Sequence, residues 1–395
     1  VLPSNEGRGY VLRRIIRRAA RHGKMLGLSE PFLYKLLGVV VDEIGAAYPE
    51  LVSARQFAAT VTLHEEERFA YTLENGMRVL AGLTGEARGR GSSRIPGDEV
   101  FKLYDTYGFP LDLAEEIARD QGLALDLEGF ERAMDRQREQ ARAAWKGSGA
   151  ETVKPIYPTL AGRLGATHFL GYDTLEAQGR VLAILKNEHV VDEAEEGSEI
   201  EVVLDQTPFY GEAGGQVGDT GLLLSPNVLL EVRDTKRPMN DLLMHRALVK
   251  RGRLRTQDVL HARVESERRQ AIALNHTGTH ILHATLKQAL GDHVKQAGSL
   301  VAPDRLRFDF THFGRLSDRE LYRVEELVNE RIREDKPVAV EHTTLHEALK
   351  MGAVALFGEK YGEDVRVVRI GDFSMELCGG THLRSTGEIG LFSIT

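Results

Sequence analysis

The sequence predicts a multidomain α and α+β protein: an N-terminal helical domain, a small β-barrel-like domain, and a final α+β domain. Three observations predict it. At 395 residues the chain exceeds what one hydrophobic core usually serves. The apolar period is helical before about Trp145, breaks into short alternating runs after Tyr157, and becomes mixed after Glu265. A content of 42% hydrophobic and 28% charged residues is that of an ordinary globular chain, neither disordered nor membrane-like.

From Ser4 to about Trp145 the pattern is helical, and Leu12, Ile15, Ile16 and Ala19 recur at the spacing of one helix face. Further helices are expected over Pro31–Tyr48, Ala54–Leu83, Leu111–Gln121 and Leu127–Trp145, with a Gly/Ser/Arg-rich interruption from Thr84 to Pro96. Lys146-Gly147-Ser148-Gly149, followed by Pro155 and Pro158, breaks the period, so residues 1–150 read as the helical domain. Val181–Leu185, Glu199–Leu204, Val228–Val232 and Val259–Val264 are strand-like runs separated by turn residues, which makes residues 151–265 a small barrel or sandwich. Ser266–Leu290 reads as a long helix with Ile272, Leu282 and Leu286 on its apolar face. Strand-like Arg305–Phe310 and Val365–Ile370 then alternate with helical Asp318–Arg333, giving an α+β domain over 266–395. The chain opens at Val1 inside a patterned segment and stops at Thr395 in the strand-like run Gly390–Ile394, which reads as an internal piece of a longer polypeptide.

A net charge of −8 argues against a wholly basic nucleic-acid coat, although an average can hide a local basic face. Such a face is present in Arg13, Arg14, Arg17, Arg18 and Arg21, with Arg8, His22 and Lys24 nearby and no acid interrupting the run. Solvated helix faces normally mix signs, so this run favours contact with phosphate. No apolar run approaches the roughly 18 to 20 residues of a membrane span, and no membrane partner is expected. The absence of a secretory or transit pattern sets a cytoplasmic expectation. The single cysteine, Cys378, excludes an internal disulfide framework and is buried, reactive or a metal ligand.

On the long helix His276 and His280 are four residues apart, so both imidazoles project from one face and can meet a single ion. Far downstream Cys378-Gly379-Gly380-Thr381-His382 offers a thiolate and a third imidazole, with two glycines that let the backbone turn between them. Either half alone has a bland explanation, chance spacing for the histidines and a small buried hydrophobe for the cysteine. Together they form a candidate His3Cys site for one Zn2+, the ion best suited to mixed imidazole and thiolate. A zinc peptidase would carry glutamate directly after the first histidine, where this chain has Thr277. Four protein ligands normally close a structural site, so a catalytic ion here must expand its coordination, exchange a ligand, or orient substrate while a nearby water attacks. His283 ranks below the four as a ligand because it is rotated around the helix, and His245, His261 and His293 have no partner at ligand spacing.

These motifs, with others, resemble the alanyl-tRNA synthetases over essentially the whole chain. The resemblance is carried by Pro3-Ser4-Asn5-Glu6-Gly7-Arg8-Gly9-Tyr10-Val11-Leu12-Arg13-Arg14, by Leu103-Tyr104-Asp105-Thr106-Tyr107-Gly108-Phe109-Pro110, by Thr207-Pro208-Phe209-Tyr210-Gly211-Glu212-Ala213-Gly214-Gly215-Gln216, and by the two metal motifs, in that order. It implies a tRNA-recognition region followed by an editing domain that hydrolyses mischarged seryl- or glycyl-tRNA(Ala). By the resemblance His276, His280, Cys378 and His382 are the zinc ligands of the editing site, and Thr279 and Gln296 line its amino-acid pocket. Asn5 and Asp105 match the pair that reads the acceptor stem of alanine tRNA, with Asp112 as the alternative to Asp105. The implied partner is tRNA(Ala), including its 3′ aminoacyl end, and no protein partner is inferable. ATP and Mg2+ belong to the family's aminoacylation core, which the resemblance places before Val1, and no residue here is assigned to adenylate chemistry. Two other classes stay open: a free-standing aminoacyl-tRNA deacylase, and a non-catalytic zinc-stabilised tRNA-binding module.

The glycines of the third motif have two compatible readings, as tight turns between strands and as places where backbone amides approach a ligand. A P-loop is excluded, because no Gly-Lys-Ser/Thr follows.

Overall fold

Helical periodicity before residue 145 becomes six helices among the described residues: α1 (Gly7–Met25), α2 (Leu33–Ile44), α3 (Pro49–Gly89), α4 (Gly97–Asp105), α5 (Leu111–Asp120) and α6 (Leu127–Ala144). The computed structural model describes residues 2–4, 7–144, 154–239, 242–355 and 362–395. The chain divides into two units, Val1–Gly147 and Ser148–Thr395. The Lys146–Gly149 segment predicted as a boundary lies outside the described residues.

Proline sets several starts in the first unit: Pro49 opens α3, and Pro96 and Pro110 stand at the N-caps of α4 and α5, with fixed φ and no backbone N–H to leave unpaired. The core is built from Phe69, Leu73 and Leu80 of α3, Leu103 of α4, Ile117 of α5 and Phe130 of α6, around Phe109 between α4 and α5. Gly76 is needed within α3, since a Cβ there would lie 2.0 Å from the Phe109 ring. Two expectations are corrected. The interruption predicted from Thr84 begins only after Gly89, because buried Thr84 and Ala87 keep the helix packed inward and Thr84 Oγ1 donates to the Ala81 carbonyl. Directly after that interruption, α4 forms unforeseen, with Asp98 and Glu99 at its positive N-terminal end.

The face expected for α1 is corrected at one residue: Leu12, Ile16 and Ala19 are half-buried, but Ile15 is not. Ile15 is 61% exposed and Val11 55% exposed, whereas the side chains of Arg13, Arg17 and Arg21 turn inward at four-residue intervals. Glu65 of α3 accepts from Arg13 Nε at 2.9 Å and Arg17 Nε at 2.6 Å, and Arg21 pairs with Glu116 of α5. Counter-charges on neighbouring helices decide which stripe faces in, and these are invisible to the periodicity of α1 alone.

The second unit begins with α7 (Ile156–Leu164) and a six-stranded antiparallel barrel. Its strands are β1 (Glu176–Lys186), β2 (Glu199–Leu204), β3 (Gly221–Leu224), β4 (Leu229–Met239), β5 (Leu242–Arg251) and β6 (Val259–Val264). The order around the barrel is β6-β3-β4-β5-β2-β1, and β6 closes onto β1 with Val259 opposite Arg180. Closure pairs the edges, and alternate residues fill the interior, among them Val181, Val202, Leu223, Leu230, Val249 and Leu260. Strands β3 and β5 were not foreseen.

After the barrel come α8 (Ser266–Leu290), the hairpin β7 (Gln296–Val301) and β8 (Leu306–Phe310), and α9 (Asp318–Arg333). The α9 N-terminus is closed by a reciprocal Ser317–Glu320 capping box. A three-stranded antiparallel sheet follows in the order β9 (Val338–Thr344), β10 (Asp364–Ile370), β11 (Ser374–Leu377), with α10 (Leu345–Lys350) after β9. Ile281 and Leu286 of α8, Val324 and Val328 of α9, and Val368 and Ile370 of β10 share one core. The strand-like run at Gly390–Ile394 forms no strand: Phe392 N donates to Asn329 Oδ1 and Ile394 N to Glu325 Oε2, so α9 side chains satisfy that backbone.

Inside the barrel wall, fully buried His245 bonds through Nδ1 to the Val202 carbonyl at 2.9 Å and through Nε2 to Thr207 Oγ1 at 2.8 Å. The carbonyl can only accept, so Nδ1 carries the proton and Nε2 accepts from the threonine. Burial drives the His245 pKa down to about 4. The unfolded chain therefore binds a proton below its ordinary value of about 6.5 that the folded chain refuses. Stability is expected to be complete above pH 6.5 and to fall as pH drops toward 4, by an amount on the order of 3 kcal/mol from this group. Urea midpoints for His245→Gln, which cannot titrate, should lack that part of the slope; parallel pH profiles for the two proteins would refute the assignment.

Candidate functional site

Helix α8 presents His276 and His280 on one face because four residues make just over one turn, and their rings stack nearly parallel with centroids 5.3 Å apart. The turn after β11 delivers Cys378 and His382 to the same place. Cys378 Sγ lies 3.3 Å from His276 Nε2 and 3.3 Å from His382 Nε2. The four ligand atoms of His276, His280, Cys378 and His382 all lie within 4.8 Å of one another, and the cluster could hold a metal ion.

The neighbours of these side chains fix which nitrogen faces the cluster. Gln216, fully buried, accepts the Thr381 backbone N–H on Oε1 at 3.0 Å and donates from Nε2 to Thr381 Oγ1 at 3.0 Å, which sets the orientation of its amide. Its Oε1 is 2.7 Å from His276 Nδ1, so Nδ1 is the protonated nitrogen and Nε2 keeps its lone pair. Glu376 does the same for His280, accepting from Nδ1 at 2.8 Å, and its other oxygen accepts from His283 Nδ1 at 2.8 Å. His280 Nε2 is left buried with no hydrogen-bond partner among the described residues. A buried polar atom left unpaired is costly, and an ion at the centre of the four donors would satisfy it. The donor set and this orphaned nitrogen both fit a metal ion.

The electrostatics favour a thiolate. Burial alone would push the Cys378 thiol up, but the surrounding imidazoles of His276, His382 and His280 hold it well below the usual thiol range. Against their burial, Glu376 is drawn down to about 2 by His280 and His283, and His280 is pushed up to about 10 by Glu376 and Cys378, so an ion that takes His280 Nε2 displaces a proton from it. His382 is lowered to about 3 by burial and by His276. A thiolate is the form that binds metal. Gly380 makes the turn fit, since a Cβ there would lie 2.0 Å from His276 Cε1.

The other expected site residues fall at different distances from this cluster. Thr279 is buried next to His280, and its hydroxyl donates to the Asn275 carbonyl one turn back at 2.8 Å. Gln296 donates to Ser299 Oγ at 3.1 Å, and Ser299 Oγ is 3.5 Å from the Gly214 carbonyl, so it is linked to the glycine-rich loop rather than to a metal-site side chain. That loop reaches the cluster through Gln216. His283, ranked low as a ligand, is turned onto Glu376 instead, while His261 faces Glu176 and His293 faces His312. Gln216 and Glu376 escaped the sequence reading: the first lay inside a quoted motif without a role, and the second, two residues before Cys378, carried no spacing signal.

In the helical unit, a cleft of about 800 Å³ is lined by residues of α1, α4 and α5, including Arg14, Arg18, Asp105 and Asp112. Asp105 is exposed at the end of α4, and Asp112 pairs with Arg14 at 2.7 Å. Arg18 is exposed and forms no ion pair among the described residues. Asn5 lies outside the described residues.

Comparison with known proteins joins these features. The chain is similar over its whole length to proteins named alanine–tRNA ligase: 50% identical over 394 residues to one from Pelotomaculum thermopropionicum, 48% to one from Thermoanaerobacter sp., and 50% to one from Desulforamulus reducens. In each case it spans 45% of the relative's own length. Residues 365–395, which hold Cys378 and His382, match the family described as threonyl and alanyl tRNA synthetase second additional domain. Residues 1–268 match the family described as tRNA synthetases class II (A), and the chain belongs to that family.

Proposed function

We propose that this chain is the tRNA-recognition and editing part of an alanine–tRNA ligase, which binds tRNA(Ala) and hydrolyses seryl- or glycyl-tRNA(Ala) at a site holding one Zn2+. The observation that carries this reading is the convergence of three imidazoles and one thiol in a chain about half identical, end to end, to alanine–tRNA ligases. The whole ligase attaches alanine to tRNA with ATP and Mg2+, through a core outside this chain.

The chemistry explains why such a site is needed. A pocket for alanine rejects glycine by no more than the binding energy of a methyl group, roughly 1–3 kcal/mol, and rejects an added hydroxyl little better. A second site that recognises the wrong amino acid and cleaves its ester supplies the missing discrimination. When bound, zinc supplies charge stabilisation for a developing oxyanion and orients or activates water. His276, His280, Cys378 and His382 hold the ion, while Gln216 and Glu376 keep the Nε2 atoms of His276 and His280 turned to it. Thr279 Oγ1 retains lone pairs that accept from a serine hydroxyl, and Gln296 with the glycine-rich loop borders the path of the ester. Release of serine from seryl-tRNA(Ala) by the metal-loaded chain is the decisive assay; tRNA binding without release would leave a zinc-stabilised binding module.

For the helical unit the reading divides the arginines. Arg14 and Arg18, turned outward, contact phosphate, while Arg13 and Arg17 hold α1 on Glu65. Arg14→Ala with Arg18→Ala should weaken tRNA binding and make the dependence of log K on log salt shallower by about 1 to 2. An unchanged slope in a salt titration would remove both residues from the interface.

A further inference from the structure

The metal-binding turn carries two glycines and so has little intrinsic rigidity, yet each of its successive carbonyls is captured. Arg366 of β10 donates from Nη1 to the Cys378 carbonyl at 2.9 Å and to the Gly380 carbonyl at 2.9 Å. Tyr172 donates its hydroxyl to the Gly379 carbonyl between them at 2.5 Å. The Arg366 guanidinium also lies 4.3 Å from the centroid of the Tyr172 ring, and Phe169 packs edge-on against that ring at 4.8 Å. Finally, the Arg366 backbone carbonyl accepts the Cys378 N–H at 3.0 Å.

We propose that Tyr172 and Arg366 form a positioning latch that fixes the Cys378–Gly380 turn, so that the Cys378 sulfur and His382 Nε2 are presented to the ion at one geometry. Neither residue offers a ligand atom to the cluster. Their effect passes through the turn: glycine pays a large entropic cost when ordered, and pre-ordering it before the ion arrives raises affinity. Tyr172 precedes the barrel and lies 207 residues from Gly379, so the latch also ties that segment to the metal-binding turn. The inference rests on the metal reading given above.

The test uses the full chain with Tyr172→Phe, which removes one hydroxyl, and Arg366→Lys, which keeps the charge but loses the forked, stacked geometry. Zinc affinity is measured by chelator competition, the d–d and thiolate-to-metal absorption of the Co2+-loaded protein reports ligand geometry, and thermal unfolding of the metal-free protein controls for stability. Each variant is expected to bind zinc about 10- to 100-fold more weakly and to show altered cobalt bands, with the metal-free unfolding midpoint unchanged. Wild-type affinity with wild-type cobalt bands would overturn the latch. So would a loss of affinity matched by a lowered midpoint in the metal-free protein, since both residues would then be ordinary structural contacts. A wild-type chain that takes up neither ion would defeat the metal reading and the latch with it, whereas equal tight binding by all three proteins defeats the latch alone.

Discussion

Cys378→Ala and His276→Ala should each leave the protein without stoichiometric zinc and reduce serine release from seryl-tRNA(Ala) by about 100-fold or more. The size of the effect follows from the donor set. His280 Nε2 has no hydrogen-bond partner among the described residues, and removing one of four converging donors leaves the ion open to exchange while restoring that unpaired nitrogen. Metal analysis and a deacylation time course on the same preparations check both halves. Turnover that persists after the zinc has gone would mean that the cluster is not the hydrolytic centre. Retained tRNA binding in the same variants is expected, because the exposed arginines belong to the helical unit.

The largest expected loss of stability comes from Arg269→Met. Arg269, at the start of α8, is buried and pairs with fully buried Asp219 through Nε, 3.0 Å from both carboxylate oxygens, and through Nη2. It also donates to the Gly171 carbonyl at 2.7 Å and the Pro208 carbonyl at 2.8 Å. Asp219 in turn accepts the Tyr210 N–H at 2.6 Å, so one ion pair fastens the glycine-rich segment and the approach to the barrel onto the helix that bears His276 and His280. Removing the cation strands a carboxylate in the interior, at a cost of about 3–5 kcal/mol, which lowers the unfolding midpoint by roughly 10 °C in a unit of this size. Calorimetry should show the second unit's transition moving down. Adding Asp219→Asn to Arg269→Met should recover part of the loss, because the stranded charge is then gone. A midpoint within 2 °C of wild type, or double-variant losses that simply add, would show that the pair is not the fastening described.

Legibility in the sequence followed the range of each interaction. Ser266–Leu290 and Asp318–Arg333 are helices at the predicted bounds, and Glu199–Leu204 and Val259–Val264 are strands at theirs, because in these runs the local period and the final packing agree. The paired spacings of His276 with His280 and of Cys378 with His382 were legible for the same reason, each being set within a turn or two of backbone. The inward turn of three α1 arginines was not. Its arginine stripe is stabilised by Glu65 and Glu116, about fifty and ninety-five residues away, whose placement the helix's own sequence does not reveal. Likewise the run at Gly390–Ile394 has strand-like composition but finds its hydrogen bonds on Asn329 and Glu325, so no strand partner is needed.

By itself, the sequence determined the alternation of helical and strand-rich regions, the candidate donor residues and the family motifs, since periodicity, residue type and order are local properties of the chain. Only the tertiary structure decided that the donors meet, that Gln216 and Glu376 choose the nitrogen each histidine presents, and that Tyr172 and Arg366 grip the turn between Cys378 and Gly380. The reason is physical: hydrogen-bond direction and ion-pair geometry depend on atoms brought together across scores to hundreds of residues, and no spacing along the chain encodes where those atoms will point.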